Sequence, residues 1–443
     1  MFNDKKIFIF GMARSGYEAA KVLATKNCDI TINDAKEQKK EHVEELEKLG
    51  VKVIIGKDPL ELLDDSFDFV IKNPGIRLDH PLLLKAKELN ITITNEVEVA
   101  YQYLKNVKIV AITGSNGKTT TTTLTYNMLK NAGLNVHLGG NIGLPVCALV
   151  KEAEENDILV LEISGHQLHD VIDFKTDISI MTNLSEVHID HFKTYEFYKE
   201  NKTKVFKDHN ENSIAIINKE NEDVLKQTKD IKSKKIYFSS KNEADIYLKD
   251  GYIYYNENVV KLDDILLKGN HNYENIMCAI AVAKEFGVEN DVIIEYLKNF
   301  GGVAHRLEYV NTVNGVKYYN DSKATNVLST KIALRAFNDP TILILGGLDR
   351  GHFFDDLSED LANTKYILGY GETKQKVMDF ANKNNIECQI TNNLIETINI
   401  AYEKAEKGDV VLLSPSCASW DQYDKFEDRG DEFKNTVNSL EKK

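Results

Sequence analysis

An α/β protein of three domains built on parallel sheets is what this sequence predicts, and three observations predict it. Short β-rich runs alternate with helical patterns along the chain, the spacing of strand–helix–strand units that builds parallel sheets. The series restarts near residues 95 and 300, which gives domains over 1–95, 96–299 and 300–443. A chain of 443 residues is also too long for one hydrophobic core.

Taken in order, the first series has strands expected at Lys6–Phe10, Asp29–Asn33, Val51–Ile55 and Asp68–Lys72, with a helix over Tyr17–Thr25 and a close near Thr94. The second has strands at Val107–Thr113, Asp157–Ile163, Asp177–Asn183 and Ser213–Asn218. Alternating tyrosines in Tyr247–Val260 add a small antiparallel element, and helices follow near 270–286 and 291–299. "FGGVAHRLE" opens the third series, whose strands fall at Gly315–Tyr319, Thr341–Leu345, Lys365–Leu368 and Asp409–Leu413.

Composition narrows the function classes. Hydrophobic residues make up 42% and charged residues 28%, a soluble balance. No run of about 18 apolar residues is present to cross a membrane. The apolar run after Lys5 and Lys6 stops at Arg14 without a cleavage site, so it reads as a first strand and not a signal peptide. The formal charge of −14 argues against nucleic acid or an anionic membrane as partner. Five scattered cysteines without a CxxC pair fit reduced thiols in a cytoplasmic protein. A monomer is expected.

"KIVAITGSNGKTT" places an apolar strand, a glycine-containing loop and a Lys-Thr-opened helix in succession. Backbone N–H groups of Gly114, Ser115, Asn116 and Gly117 can ring a phosphate, aided by the helix dipole. Lys118 can reach the outer phosphates and Thr119 can ligate Mg²⁺. Ile112 stands where the strict phosphate-loop pattern has glycine. Glu162 closes the apolar run "DILVLEI", where a carboxylate needs a partner or a metal. "NLSEVHIDHF" offers His188, Asp190 and His191 after another strand, in position to face a ligand crevice. Asn272 and Asn275 share a helix face suited to a base, while Asn270 suits a helix cap. Gly11 to Gly16 approximates a dinucleotide fingerprint with Asp34 about 20 residues on. Ala13 at the middle glycine counts against NAD, because its methyl would crowd a pyrophosphate.

The ordered motifs "TGSNGKTT", "GGNIGLP", "LEIS", "NLSEVHID", "GNHNYEN", "HRLE" and "NDSKATN" resemble the Mur ligase family, which is related to folylpolyglutamate synthetases. The phosphate loop without its first glycine is that family's form. The tail "LSPSCASWDQYDKFEDRGDEF", with "GGLDRG", resembles the D-glutamate-adding members. The resemblance implies a Rossmann-like first domain, a central ATPase-type domain and a Rossmann-like third domain. It implies ATP and two Mg²⁺ ions as cofactors, UDP-N-acetylmuramoyl-L-alanine and D-glutamate as substrates, and an acyl-phosphate route.

Residue by residue, the resemblance implies that the loop 114–117, Lys118, Thr119 and Thr120 bind ATP, with Asn272 and Asn275 on adenine and Arg306 and Asp321 from the third domain. Thr119, Glu162, His188 and Lys202 would serve the metals, with Lys118, His188 and Lys202 catalytic. Lys202 matches a lysine that is carbamylated, with Lys204 the alternative register. Only about 0.04% of an ordinary lysine is neutral at pH 7, so carbamylation needs a pKa lowered by roughly three units. Arg14, Ser15, Gly16, Asp34, Asn73, Gly75 and Asn141 match contacts to the UDP substrate. Lys323, Thr325, Arg350, Ser419 and Phe426 match positions around D-glutamate. Gly165, His166 and Val187 depart from the usual residues, and Arg350 stands where many relatives carry lysine. Two rival readings are a ligase of the same fold for another amino acid or for folate, and a phosphate-loop module without ligase chemistry.

Overall fold

The computed structural model describes residues 1–187 and 189–440. They form two compact units, Met1–Lys298 and Asn299–Lys443.

The first unit carries two sheets. Strands β1 (Lys6–Phe10), β2 (Asp29–Asp34), β3 (Lys52–Ile55), β4 (Phe69–Lys72) and β5 (Thr92–Thr94) form a parallel sheet in the order β3-β2-β1-β4-β5. Alternate side chains of a strand face opposite layers. Accordingly Ile7 and Ile9 enter one core with Ala19, Ala20 and Leu23, while Phe8 enters another with Leu82, Leu83 and Ala86.

The second sheet contains β6 (Lys108–Thr113), β7 (Val136–Gly140), β8 (Ile158–Glu162), β9 (Ile178–Met181), β10 (Ile214–Asn218), β11 (Lys234–Ser239), β12 (Ile246–Lys249), β13 (Tyr252–Tyr255) and β14 (Glu257–Lys261). Its order is β14-β13-β12-β11-β10-β9-β6-β8-β7, parallel from β7 to β12 and antiparallel beyond.

The second unit holds β15 (Glu308–Val313), β16 (Val316–Asn320), β17 (Thr341–Gly346), β18 (Thr364–Tyr370), β19 (Glu387–Ile390) and β20 (Val410–Leu413). The order is β15-β16-β20-β17-β18-β19, with only the β15–β16 pair antiparallel.

Each sheet reverses its winding once: between β1 and β4, around β6, and around β20. A crevice opens at such a point beyond the carboxyl ends of the strands, where ligands of open α/β sheets bind. The loops after β4, β6, β7, β16, β17 and β20 carry Asn73 and Gly75, residues 114–117, Asn141, Asp321 with Lys323 and Thr325, Arg350, and Ser419, while Arg14, Ser15, Gly16, Lys118, Lys202, Asn272, Asn275 and Phe426 lie in helices.

Element boundaries differ from expectation in places with a physical reason. The first helix begins at Arg14, three residues before the expected Tyr17, because Arg14, Ser15 and Gly16 are already helical after an extended Ala13. Strands β7, β11 and β19 lack a strong signature: "VHLGG" ends in glycines, and "KKIYFS" and "ECQI" are half-exposed. Asn270 does not cap its helix. Gly269, at a φ of 102° that suits glycine, occupies the cap of Asn270–Glu285.

The two sheets of the first unit meet along a polar seam. Glu98, fully buried in the helix Glu96–Tyr103, accepts hydrogen bonds from the N–H groups of Ile172, Asp173 and Phe174 at 2.7, 3.0 and 3.2 Å. Thr94 donates to the Asp170 carbonyl at 2.7 Å and Asn95 to that of Gln167 at 2.6 Å. Lys72, at the end of β4, forms a buried ion pair with Asp170 at 2.8 Å. Removing one partner of a buried set strands the others without water. Glu98→Ala is therefore expected to destabilise the first unit by about 2–4 kcal/mol. Urea unfolding followed by far-UV circular dichroism measures this, and a change below about 0.5 kcal/mol would contradict it.

Candidate active site

The loop after β6 is closed by contact, not by sequence pattern alone. Gly114 has φ 142°, and a Cβ there would overlap the hydroxyl of Thr182. Gly117 has φ 82°, and a Cβ there would overlap the amide oxygen of Asn275. The loop is tied to the end of β9 by Ser115 N–H on the Asn183 carbonyl (2.8 Å) and Asn116 N–H on the Asn183 side chain (2.9 Å). Lys118, first residue of the helix Lys118–Asn131, donates from Nζ to the Gly114 and Ser115 carbonyls, both at 2.9 Å. Thr119 and Thr120 follow in the first turn and are buried. Asn275 accepts from Thr121 Oγ1 at 3.1 Å, and Asn272 donates to the Lys268 carbonyl at 2.9 Å. Asn275 thus braces the loop glycine and the loop helix together.

Glu162 ends β8 and is 1% exposed. Its Oε1 accepts from Asn141 Nδ2 at 2.8 Å, and its backbone carbonyl accepts from Asn141 N–H at 2.8 Å. Its Oε2 has no hydrogen-bond partner among the described residues. A buried carboxylate oxygen without a donor is costly, and a hard cation is a chemically matched companion for it. His188 lies outside the described residues, as does the side chain of Asp190, so neither enters this geometry. Among the described residues no group of three or more His, Cys, Asp or Glu forms a ready metal cluster.

Lys202 is 2% exposed, in the helix Tyr195–Thr203. Its Nζ lies 3.3 Å from Thr113 Oγ1 and 5.1 Å from the Tyr198 ring centroid. Burial drives its pKa well below the usual lysine value; the Lys118 charge lowers it further, and Glu162 opposes them. Lys204, the neighbouring alternative, instead donates to the His169 carbonyl at 2.7 Å. Gly165 lies against Phe192 and Lys202: a Cβ there would stand 3.3 Å from the Phe192 ring, a slight crowding, and at an ordinary 3.7 Å from Lys202 Cγ. The His166 ring packs on His191 at 4.1 Å between centroids and on Phe192 at 5.1 Å. Val187 packs against the hydrophobic core.

In the first sheet, the turn after β1 is drawn tight by Gly11 and Gly16, where a Cβ would meet Asn73 and the Gly11 carbonyl respectively. Ser15 hydrogen-bonds Asn73. Asp34 accepts from the N–H groups of Met12 (2.7 Å) and Lys36 (2.9 Å). Arg14 Nη2 donates to the Gly143 carbonyl at 2.6 Å, which joins this turn to the loop that carries Asn141. Gly75 is exposed in the loop after β4.

In the second unit, Arg306 is carried by a tight loop in which His305 and Leu307 have φ of 62° and 43°. Such backbone is held only by its surroundings: His305 N–H donates to Glu308 at 2.8 Å, and its ring meets Asn320 at 3.0 Å. Asp321 follows β16 and is 5% exposed. It accepts from Ser414 Oγ at 2.8 Å and from Leu307 N–H at 3.2 Å. Burial pushes its pKa to about 7, against these hydrogen bonds and the charges of Arg306 and Arg429. Lys323 Nζ stands 5.7 Å over the Phe426 ring, and Thr325 N–H donates to the Lys323 carbonyl at 2.9 Å. Ser419 is 1% exposed, and its Oγ has no partner among the described residues. Arg350 lies on the loop after β17.

Three matches now bear on this geometry. The model described as the MurD-like N-terminal domain matches residues 5–95, the Mur ligase middle domain matches 112–283, and the Mur ligase glutamate ligase domain matches 305–417. UDP-N-acetylmuramoylalanine–D-glutamate ligases from a Geobacillus species (strain WCH70) and from Bacillus anthracis are each 44% identical to the chain. Each alignment covers 99% of this chain and 98% of the relative. The chain belongs to the Mur ligase family. Among solved structures, this Mur ligase resembles the UDP-N-acetylmuramate–alanine ligase of Thermotoga maritima, with TM-score 0.57, 18% identity and 98% and 99% coverage of the two chains. It also resembles the MurF ligase of Thermotoga maritima in complex with ADP, with TM-score 0.58, 18% identity and 93% and 95% coverage. At these identities the likeness speaks for the fold.

Two residues of the ligase escaped the sequence reading. Tyr198, the first residue of "YKENKTKVF", is buried, hydrogen-bonds Ser115 Oγ at 2.9 Å, and carries a pKa raised by burial to about 12. Arg429 is fully buried. It donates to Ser322 Oγ (2.9 Å), to the carbonyls of Ser322 (2.8 Å) and Cys417 (3.0 Å), and to Tyr370 OH (3.4 Å). One guanidinium thus pins the ends of β16, β18 and β20. Its signal was positional: in Phe426–Ser439 it shares the inward stripe of Gly430, Phe433 and Val437, where a charge is out of place.

A carboxyl raised from 3.8 to about 7 binds its proton more tightly when folded. Its stabilising contribution is complete below about pH 4 and is lost as pH rises towards 7. Asp321→Asn is therefore expected to flatten the fall in melting temperature of the second unit between about pH 4 and 7. A slope equal to that of the unaltered protein would show that Asp321 does not titrate there.

Proposed function

We infer that this chain is an ATP- and Mg²⁺-dependent ligase that adds D-glutamate to UDP-N-acetylmuramoyl-L-alanine, in the synthesis of peptidoglycan precursors. The observation that carries this reading is the 44% identity, over nearly the full length of both chains, to ligases named for that reaction. A MurF ligase of the same fold in complex with ADP supports a nucleotide as ligand. The working assignment places the UDP substrate in 1–95, ATP in 96–299 and the amino acid in 300–443. A cytoplasmic monomer suits a reaction on soluble, nucleotide-linked substrates.

The substrate carboxylate attacks the γ-phosphate of ATP, giving an acyl phosphate and ADP. The neutral amine of D-glutamate then attacks the acyl carbon, and phosphate leaves from the tetrahedral intermediate. The protein's part is positioning and charge stabilisation. The N–H groups of 114–117 and the side chains of Lys118, Thr119 and Thr120 hold the phosphates. Asn272 and Asn275 hold the base, and Arg306 and Asp321 are assigned to ATP by the family motifs they match. Mg²⁺, when bound, supplies charge neutralisation at the phosphates; Thr119, the orphaned oxygen of Glu162, His188 and Lys202 would hold it.

Burial favours the neutral amine of Lys202, the form that adds CO₂ and releases a proton to become a carbamate. Arg14, Ser15, Gly16, Asp34, Asn73, Gly75 and Asn141 receive the UDP substrate. Lys323, Thr325, Arg350, Ser419 and Phe426 receive D-glutamate. Arginine at 350 keeps a cation for a carboxylate and adds bidentate geometry.

Phosphate release separates this reading from its rivals. Release should require ATP, the UDP-muramoyl-L-alanine acceptor and D-glutamate together; equal release with L-lysine, glycine or no amino acid would overturn it. Lys118→Ala is expected to lose more than about 100-fold in kcat, and a near-normal rate would remove Lys118 from the mechanism. Lys202→Ala should be inactive and regain activity with added short carboxylates. Full activity without them would exclude a carbamate.

A further inference from the structure

Trp420 is the only tryptophan in the chain and lies 63% exposed, outside the hydrophobic cores of the second unit. A large ring left in water is informative when something specific covers its face. Here the cover is a guanidinium: Arg350 Cζ lies 4.6 Å from the Trp420 ring centroid. The two residues come from different loops, after β17 and after β20, which the backbone holds in register. Leu348 N–H donates to the Ala418 carbonyl at 2.9 Å and Gly346 N–H to that of Pro415 at 3.0 Å. Gly347, at φ 143°, approaches too close to Ala418 for any side chain. Trp420 also directly follows Ser419, whose buried hydroxyl lacks a partner among the described residues.

We propose that Trp420 is a positioning residue that holds the Arg350 guanidinium flat, so that its N–H edge meets a carboxylate of the incoming acidic amino acid. The proposal rests on the assignment of Arg350 to the D-glutamate site and extends it to the tryptophan beside Arg350. The physics favours arginine in this setting. A planar cation stacked on an indole keeps its donors in the ring plane and available, and loses less rotamer freedom on binding than a lysine on a flexible stem. The arrangement gives a reason for arginine, not lysine, opposite this tryptophan.

Two measurements test the two halves. Without substrate, acrylamide quenching of the sole indole reads the stack directly: Arg350→Met should raise the quenching constant, and an unchanged constant overturns the stack whatever reaction the protein catalyses. With substrates, Trp420→Leu should raise KM for D-glutamate about two- to fivefold, leaving KM for ATP and kcat unchanged, whereas Trp420→Phe should recover most of the loss. In an Arg350→Met background, Trp420→Leu should add nothing. Additive effects, or a Trp420→Leu enzyme with normal KM for D-glutamate, overturn the positioning role. If the unaltered protein releases no phosphate with D-glutamate, the substrate assignment fails and the positioning half falls with it. The quenching result still stands by itself.

Discussion

The cost of burying a charged amine organises the central sheet. Lys202 sits in an interior that disfavours its ammonium form, and the groups around it are placed by that fact. Thr113 meets its nitrogen, and Tyr198 lies beside it while holding the phosphate loop through Ser115. Lys118 and Glu162 bias its protonation in opposite senses. An exposed lysine could remain charged in water and would need none of this. The enclosure favours the neutral amine.

The second unit solves the converse problem. Arg429 cannot shed its charge, so its burial is met by hydrogen bonds to a hydroxyl, two carbonyls and a phenol. Those acceptors belong to three strand ends, and satisfying one guanidinium fixes the relative placement of the loops that carry Lys323 and Ser419. Asp321 feels the same charge and remains raised because burial outweighs it. Both units therefore bury a basic side chain beside the point where the sheet reverses its winding, neutral-favoured in the first and permanently charged in the second.

Much of this was legible in the chain. Strands such as Lys6–Phe10 and Thr341–Gly346 announce themselves by uninterrupted apolar runs, and Glu162 by a carboxylate at the end of one. The phosphate loop was legible through local order: strand, glycine loop, helix. What stayed hidden depends on distance in sequence. Nothing near Gly117 foretells Asn275, and nothing near Arg429 foretells Ser322 or Tyr370. Edge strands such as Glu387–Ile390 are half-exposed and lose the apolar signal that marks interior ones. Arg429 was overlooked because an arginine among acidic neighbours reads as a surface residue until its helix face is known.

The seam at Glu98 bears on how such a protein can be taken apart. Three amides of the loop before β9 end on a carboxylate carried by the helix that follows β5, and Lys72 of the first sheet pairs with Asp170 beside that loop. A chain cut after residue 95 would leave Lys72 without its counter-ion and separate Thr94 and Asn95 from the carbonyls they hold. Neither fragment could hide those groups by itself. The first sheet is thus tied to the rest of its unit by buried polar groups, and recombination between relatives at this boundary would have to exchange both sides of those pairs together.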